Sequence, residues 1–192
     1  MRGTALAVGA VLAFSACGAQ SIPQGANAVE AAWAEVMNQY KRRADLVPNL
    51  VKVVKGYAEH EQQTLTGVVE ARAKATSVHV RLEDLDAQKM VELQKAQGAL
   101  STALGKLLAV SERYPDLKAN QNFRDLQAQL EGTENRIGIA RRRYIEAVQA
   151  FNNVITVPPT SWTNSLFYHH QKKPQFTVED SEAVQKPPQI DF

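Results

Sequence analysis

The residues of this chain with the most chemical potential are a few charged and imidazole side chains set among apolar neighbours. His60-Glu61 opens like a zinc-protease helix, in which two histidines one turn apart hold the metal and the glutamate activates water. The row reads HEQQT, and Thr64 stands where the second histidine must be, so two ligands do not meet on one face. His169-His170 are adjacent in FYHHQKK. Neighbouring residues on an ordered backbone diverge, which is poor geometry for chelating one ion, so they read as surface histidines. No metal or other cofactor is expected. Glycine patterns for phosphate or dinucleotide binding and the nucleophile elbow of serine hydrolases are missing from the sequence.

More informative are charges that fall in phase with apolar stripes. Glu61 lies three residues beyond Ala58 and four before Leu65, and Arg72 closes the same stripe. Further on, Glu134 and Arg141 flank the stripe positions Ile137 and Ala140, with Asn135 beside them. Charges in a helical seam are costly unless paired, and paired they fix which helix levels meet. Glu61, Arg72, Glu134, Asn135 and Arg141 are therefore expected to form one buried polar network, with Arg141 neutralising an acid across the seam. Arg42-Arg43 and Arg141 to Arg143 are short basic runs. Consecutive helical residues diverge by about 100°, so these spread around a rod instead of forming a phosphate-binding stripe, and no nucleic-acid partner is expected.

The elements that must carry these residues are long helices. From Val29 the apolar positions Trp33, Val36, Met37, Tyr40, Ala44, Val47, Leu50, Val51, Val54 and Ala58 recur at steps of three and four. The stripe continues through Leu65, Val68 and Val69 to Arg72, which predicts a first helix ending near Thr76. Pro48 lies within it, but the stripe passes through in phase, so a structural kink is expected in place of a break. Asp84 or Asp86 can cap a second helix, with Met90, Leu93, Gln97, Leu100, Leu104, Leu107 and Ser111 inward, stopped at YPD (114–116). A third runs from Phe123 through Leu126, Leu130, Thr133, Ile137, Ala140, Tyr144, Ala147 and Phe151 to Val154, before Pro158-Pro159.

Three one-sided stripes of heptad-like, coiled-coil spacing must cover one another. The expected fold is all-α: an elongated antiparallel bundle of three to four long helices with an extended C-terminal tail. The second helix is the shortest. Either Pro48 divides the first helix and supplies a fourth, or the chain after Pro158 folds back over what the second leaves bare.

At the N-terminus, MRGTALAVGAVLAFSACGAQ joins one basic residue to an apolar run from Ala5 to Phe14 and small residues leading to Cys17, the only cysteine. That is the plan of a secretory signal, too short for a comfortable membrane span of about 20 residues. FSAC resembles the lipobox of bacterial lipoproteins, with Phe14 where Leu is more usual; there the cysteine becomes the lipidated first residue, palmitate included. The expected organisation is a signal peptide at 1–16, a polar tether at 17–27, the bundle at 28–157 and a tail at 158–192.

Two blocks are specific. QYKRRADLVPNLVKVVKGYAEHEQQTL (39–65) and ERYPDLKANQNFRDLQAQLEGTENRIGIARRRYIEAVQAFN (112–152), with the ending PPQIDF, resemble the LemA family. GAQSIPQGAN lacks the Tyr-Asn step common in that family's linker. The resemblance implies an envelope protein with an extended helical bundle behind a membrane anchor or lipobox, and no settled molecular activity.

The expectation is thus a non-enzymatic protein, attached to the bacterial cell membrane or outer membrane through lipid and facing the periplasm or exterior, whose bundle presents surfaces to envelope partners. Two alternatives stand beside it: a hydrolase using Glu61, Glu134 and His60, and a small-ligand bundle with a cavity lined by Leu100, Leu104, Phe123 and Phe151. In the last residues, Ile190 and Phe192 alternate on one side of an extended strand. They suit either packing back onto the bundle or a ligand that adds to a sheet edge and offers its terminal carboxylate.

Overall fold

The computed structural model describes the backbone of residues 2–176 and the side chains of residues 20–176. Ile190 and Phe192 lie outside the described residues, and the side chain of Cys17 lies outside the described side chains. The fold is an all-α bundle. Its elements are α1 (Arg2–Tyr57), α2 (Gln62–Ser77), α3 (Ala87–Val110), the short α4 (Pro115–Ala119), α5 (Gln121–Thr156) and the one-turn α6 (Thr160–Thr163), which runs into a π-helical turn at Asn164–Tyr168.

Local chemistry sets the ends. Asp86 caps α3 by accepting the Lys89 amide at 2.7 Å, and Asn120 caps α5 by accepting the Phe123 amide at 3.0 Å. Pro115 occupies the first turn of α4, where its missing amide costs nothing. The α5 stripe begins as the spacing predicts, at Phe123, Leu130, Ile137, Ala140, Tyr144 and Phe151, but its last turns bury Val148 and Ile155 while Ala147 and Val154 are only half-buried. A helix of 3.6 residues per turn drifts against a strict heptad, so the inward face moves one position along.

α1 and α5 form the spine and run in opposite directions. Tyr57 meets Asn120 at one end, Arg43 meets Glu134 midway, and Gly25 lies against Phe151 toward the other. A Cβ at Gly25 would come within 3.1 Å of the Phe151 ring, so the close approach there uses glycine. α2 and α3 cover the half of the spine nearest Tyr57. The other half is covered by the 78–86 loop, which accepts the Trp33 indole N–H at Val80 O (3.2 Å), by Met90 and Leu93 in the first turns of α3, and by the chain after Pro159.

That chain does fold back. Asn152 grips the backbone of Lys173 through both ends of its amide (3.0 and 2.9 Å), the Tyr144 hydroxyl donates to Pro174 O at 3.0 Å, and Phe176 packs against Trp33 and Tyr144.

Two expectations need correction. The first helix passes through Pro48 undivided, as the phase of its stripe predicts, but it does not reach Thr76: α1 ends at Tyr57, and α2 turns back after Ala58–Glu61. Hydrogen bonds from Ala58 N to Val54 O and from Glu61 N to Ala58 O close that corner. The stripe stays in phase across it because Ala58 and Leu65 are both buried, on either side of a turn as they would be along one rod. Residues 17–27, expected as a polar tether, are helical and continuous with the bundle, and Ile22 is fully buried in the core.

Candidate functional site

The buried residues form two apolar clusters stacked along the spine. One gathers Trp33, Tyr40, Tyr144 and Phe151; the other Leu50, Leu100, Leu107 and Phe123. Between them lies a polar layer centred on Arg43, which is 2 % exposed. Its position follows from α1 geometry: Arg43 is three residues from Tyr40 and four from Val47, so the helix aims it inward.

The Arg43 guanidinium donates through Nη1 to Glu134 Oε1 at 2.8 Å and Ser101 Oγ at 2.6 Å, and through Nη2 to Gln97 O at 3.2 Å and to Gln97 Oε1. Gln97 in turn donates to Ala75 O at 3.2 Å. Four helices thus converge on one cation. Glu134 keeps 41 % of its side chain in contact with solvent, so the carboxylate remains hydrated on one side while it neutralises a charge that has none. A buried charge without such a partner is strongly destabilising. The layer therefore fixes the levels at which α1, α2, α3 and α5 meet.

The five residues expected to form one network do not come together. Glu61 sits at the α1–α2 corner, where it pairs with Arg113 at 2.8 Å and accepts the Tyr114 hydroxyl at 3.3 Å, tying that corner to the one after α3. Arg72 donates from Nε to Ala44 O at 2.8 Å. Glu134 belongs to the Arg43 layer. Asn135 points to solvent. Arg141 lies over the Phe176 ring, 4.5 Å from its centroid, a cation–π contact in place of the expected acid. The phase argument found residues near the seam but not which levels meet, and it passed over Arg43 because that residue was grouped with exposed Arg42. The three-and-four spacing from Tyr40 to Val47 was the available signal.

The hydrolase set is separated as well. From the level of Asn120, beside the Glu61 corner, to Glu134 is about 20 Å of helix at 1.5 Å per residue, and His60 is exposed on a turn. Leu100, Leu104 and Phe123 pack in one cluster and Phe151 in the other, with Phe123 and Phe151 roughly 42 Å apart along α5; they line no common cavity. A groove of about 990 Å³ runs between α2 and α3 instead, lined by small and polar side chains such as Thr66, Gly67, Ala99 and Thr102. Among the described residues, no group of three or more acidic, histidine or cysteine side chains is placed to hold a metal ion. Tyr144 is the perturbed titratable group of the core: burial pushes its phenol well above the usual tyrosine range.

Among curated proteins, Protein LemA of Metamycoplasma hominis is 28 % identical over 140 residues, covering 73 % of this chain and 59 % of that protein. Magnetosome protein MamQ 2 of Paramagnetospirillum magneticum is 30 % identical over 163 residues, covering 76 % and 58 %. The chain thus spans less than two thirds of the length of the relatives it matches. The LemA family model matches residues 32–192, which takes in every helix from the Trp33 level of α1 onward and both halves of the Arg43–Glu134 pair. The chain belongs to the LemA family.

Proposed function

We propose that this envelope-associated chain is a non-enzymatic, lipid-anchored protein whose helical bundle presents its outer faces to envelope partners. The observation that carries this reading is the fate of the chain's inward polar groups. The two terminal nitrogens of Arg43 are spent on Gln97, Ser101 and Glu134, though its buried Nε has no hydrogen-bond partner among the described residues. Glu61 is spent on Arg113 and Tyr114, and Arg72 on a backbone carbonyl. Each of these side chains ties helices or corners together, which is what a rod that holds a fixed surface requires. The lipobox-like FSAC ending at Cys17 supports attachment through lipid, since two or more acyl chains are needed for stable anchoring. The membrane bearing it is the cell membrane or outer membrane, with the bundle facing the periplasm or exterior.

Mass spectrometry of the mature N-terminus tests the anchor. The expected species begins at an acylated Cys17, and Cys17→Ser leaves the protein unlipidated. An unmodified cysteine on protein recovered away from membranes would overturn the reading. Crosslinking in intact membranes then identifies partners, and loss of crosslinks on substitution of exposed helix residues, with the melting temperature unchanged, locates the surface used.

A further inference from the structure

Where α5 stops, the chain turns through Pro158-Pro159 and holds three large apolar side chains in solvent: Trp162 is 69 % exposed, Leu166 70 % and Phe167 71 %. Val157, 56 % exposed, precedes them. Single exposed apolar residues are ordinary, but two aromatics and a leucine between positions 162 and 167 form a patch of the kind that marks a contact surface.

The turn that carries them is pinned. Asn164, 8 % exposed, grips His170 through both ends of its amide at 3.0 Å, and the Thr160 hydroxyl donates to the carbonyls of Val154 and Val157. His169 closes the turn in the left-handed region (φ 55°). The apolar side chains are thus held outward by the hydrogen bonds that fix the turn beneath them.

Position and charge say what the patch meets. α6 packs on α1, and α1 continues past this level toward its N-terminus, so the segment that carries Cys17 leaves the bundle at this end. Beside the turn, His169 and Lys172 are exposed in the sequence HHQKK. Tryptophan favours the boundary between hydrocarbon and water, where its ring is buried and its N–H stays hydrated, and basic flanks favour an anionic surface.

We propose that the Trp162–Phe167 turn is a membrane contact: Trp162, Leu166 and Phe167 enter the headgroup region of an anionic bilayer, with Lys172 over the lipid phosphates. This deepens the anchored reading above by adding a second contact that sets how the bundle stands on the membrane. It does not require Cys17 to carry lipid.

The chain holds two tryptophans, and Trp33 is buried in the core, so emission separates the two. Full-length protein is mixed with phosphatidylglycerol vesicles containing lipids brominated near the headgroup, and flotation and fluorescence are read on the same samples. Wild-type emission is expected to shift to the blue and lose the Trp162 share of its intensity. Trp162→Phe should float equally well, with its remaining Trp33 emission unquenched. The exposed pair Leu166→Ser with Phe167→Ser should weaken the quenching while the melting temperature holds. Protein that floats with unquenched wild-type emission overturns the turn contact and leaves the anchor standing. Unacylated protein that does not float overturns the turn contact, whereas the anchor falls only if the mature N-terminus carries no lipid. A blue shift that grows with protein concentration in the absence of vesicles identifies a second copy as the occupant and also overturns the proposal.

Discussion

Arg72 supplies the hydrogen bond that Pro48 removes. In an uninterrupted α-helix the amide of residue 48 would donate to the carbonyl of residue 44, and proline has no amide to give. The Ala44 carbonyl instead accepts from Arg72 Nε, 2.8 Å away on α2. An interruption in one helix has become the point where a second helix is fastened to it, and α1 passes through Pro48 without dividing.

A double-mutant cycle tests this relationship. Arg72→Ala should cost about 1–3 kcal/mol, the penalty for a carbonyl left without its charged donor. Pro48→Ala restores the helix amide and should stabilise by about 1–2 kcal/mol, less than the full helix-interior penalty because proline also restricts the unfolded chain. In the Pro48→Ala background the loss of Arg72 should cost markedly less. Equal costs in urea titrations of both backgrounds would show that the two residues are not coupled.

Arg43→Ala should be among the most destabilising single changes, about 3–5 kcal/mol, because it empties a packed site and strands Gln97 and Ser101. Arg42→Ala, one residue away and exposed, should stay within about 0.5 kcal/mol. Glu134→Ala should cost a comparable amount, about 3–5 kcal/mol, because it leaves the buried Arg43 cation without its counter-charge. Indistinguishable melting curves for the Arg42 and Arg43 variants would contradict the buried layer.

The Tyr144 phenol is pushed up by burial, so its neutral form is favoured in the folded state. The folded pKa lies above the unfolded value of about 10, so this contribution is fully present below pH 10 and is lost as pH rises toward the folded value. Wild-type stability should therefore fall between pH 9 and pH 11, on the order of the range over which an unfolded tyrosine ionises, and Tyr144→Phe should fall less. Urea midpoints at the two pH values decide it; parallel losses in both proteins would rule out Tyr144 as the source.

Asn152→Ala should release the returning segment, since both bonds to Lys173 are lost at once. The expected cost is about 1–3 kcal/mol, with faster hydrogen exchange at the Lys173 amide and red-shifted Trp33 emission as Phe176 leaves the ring. Unchanged exchange at Lys173 would mean the segment is held by packing alone.

Much of the helical architecture was written in the sequence, because helix periodicity, caps and proline positions are local. The stripe from Val29 to Ala58, the Asp86 cap, the stop at Tyr114-Pro115 and the family-specific blocks could all be read without knowing what packs on what. Contacts between helices are another matter. A stripe shows which face turns inward but not the level of its neighbour, so Glu61 and Arg141 were on the right faces and yet meet Arg113 and Phe176 instead of each other. The corner at Ala58–Glu61 left no mark because a helix folded back on itself keeps both faces apolar. Arg43 looked like half of an exposed basic pair until four helices closed around it. Only the tertiary structure set these outcomes, since hydrogen bonding and desolvation at a seam depend on groups that lie tens of residues apart in sequence and come within 3 Å only when the bundle is assembled.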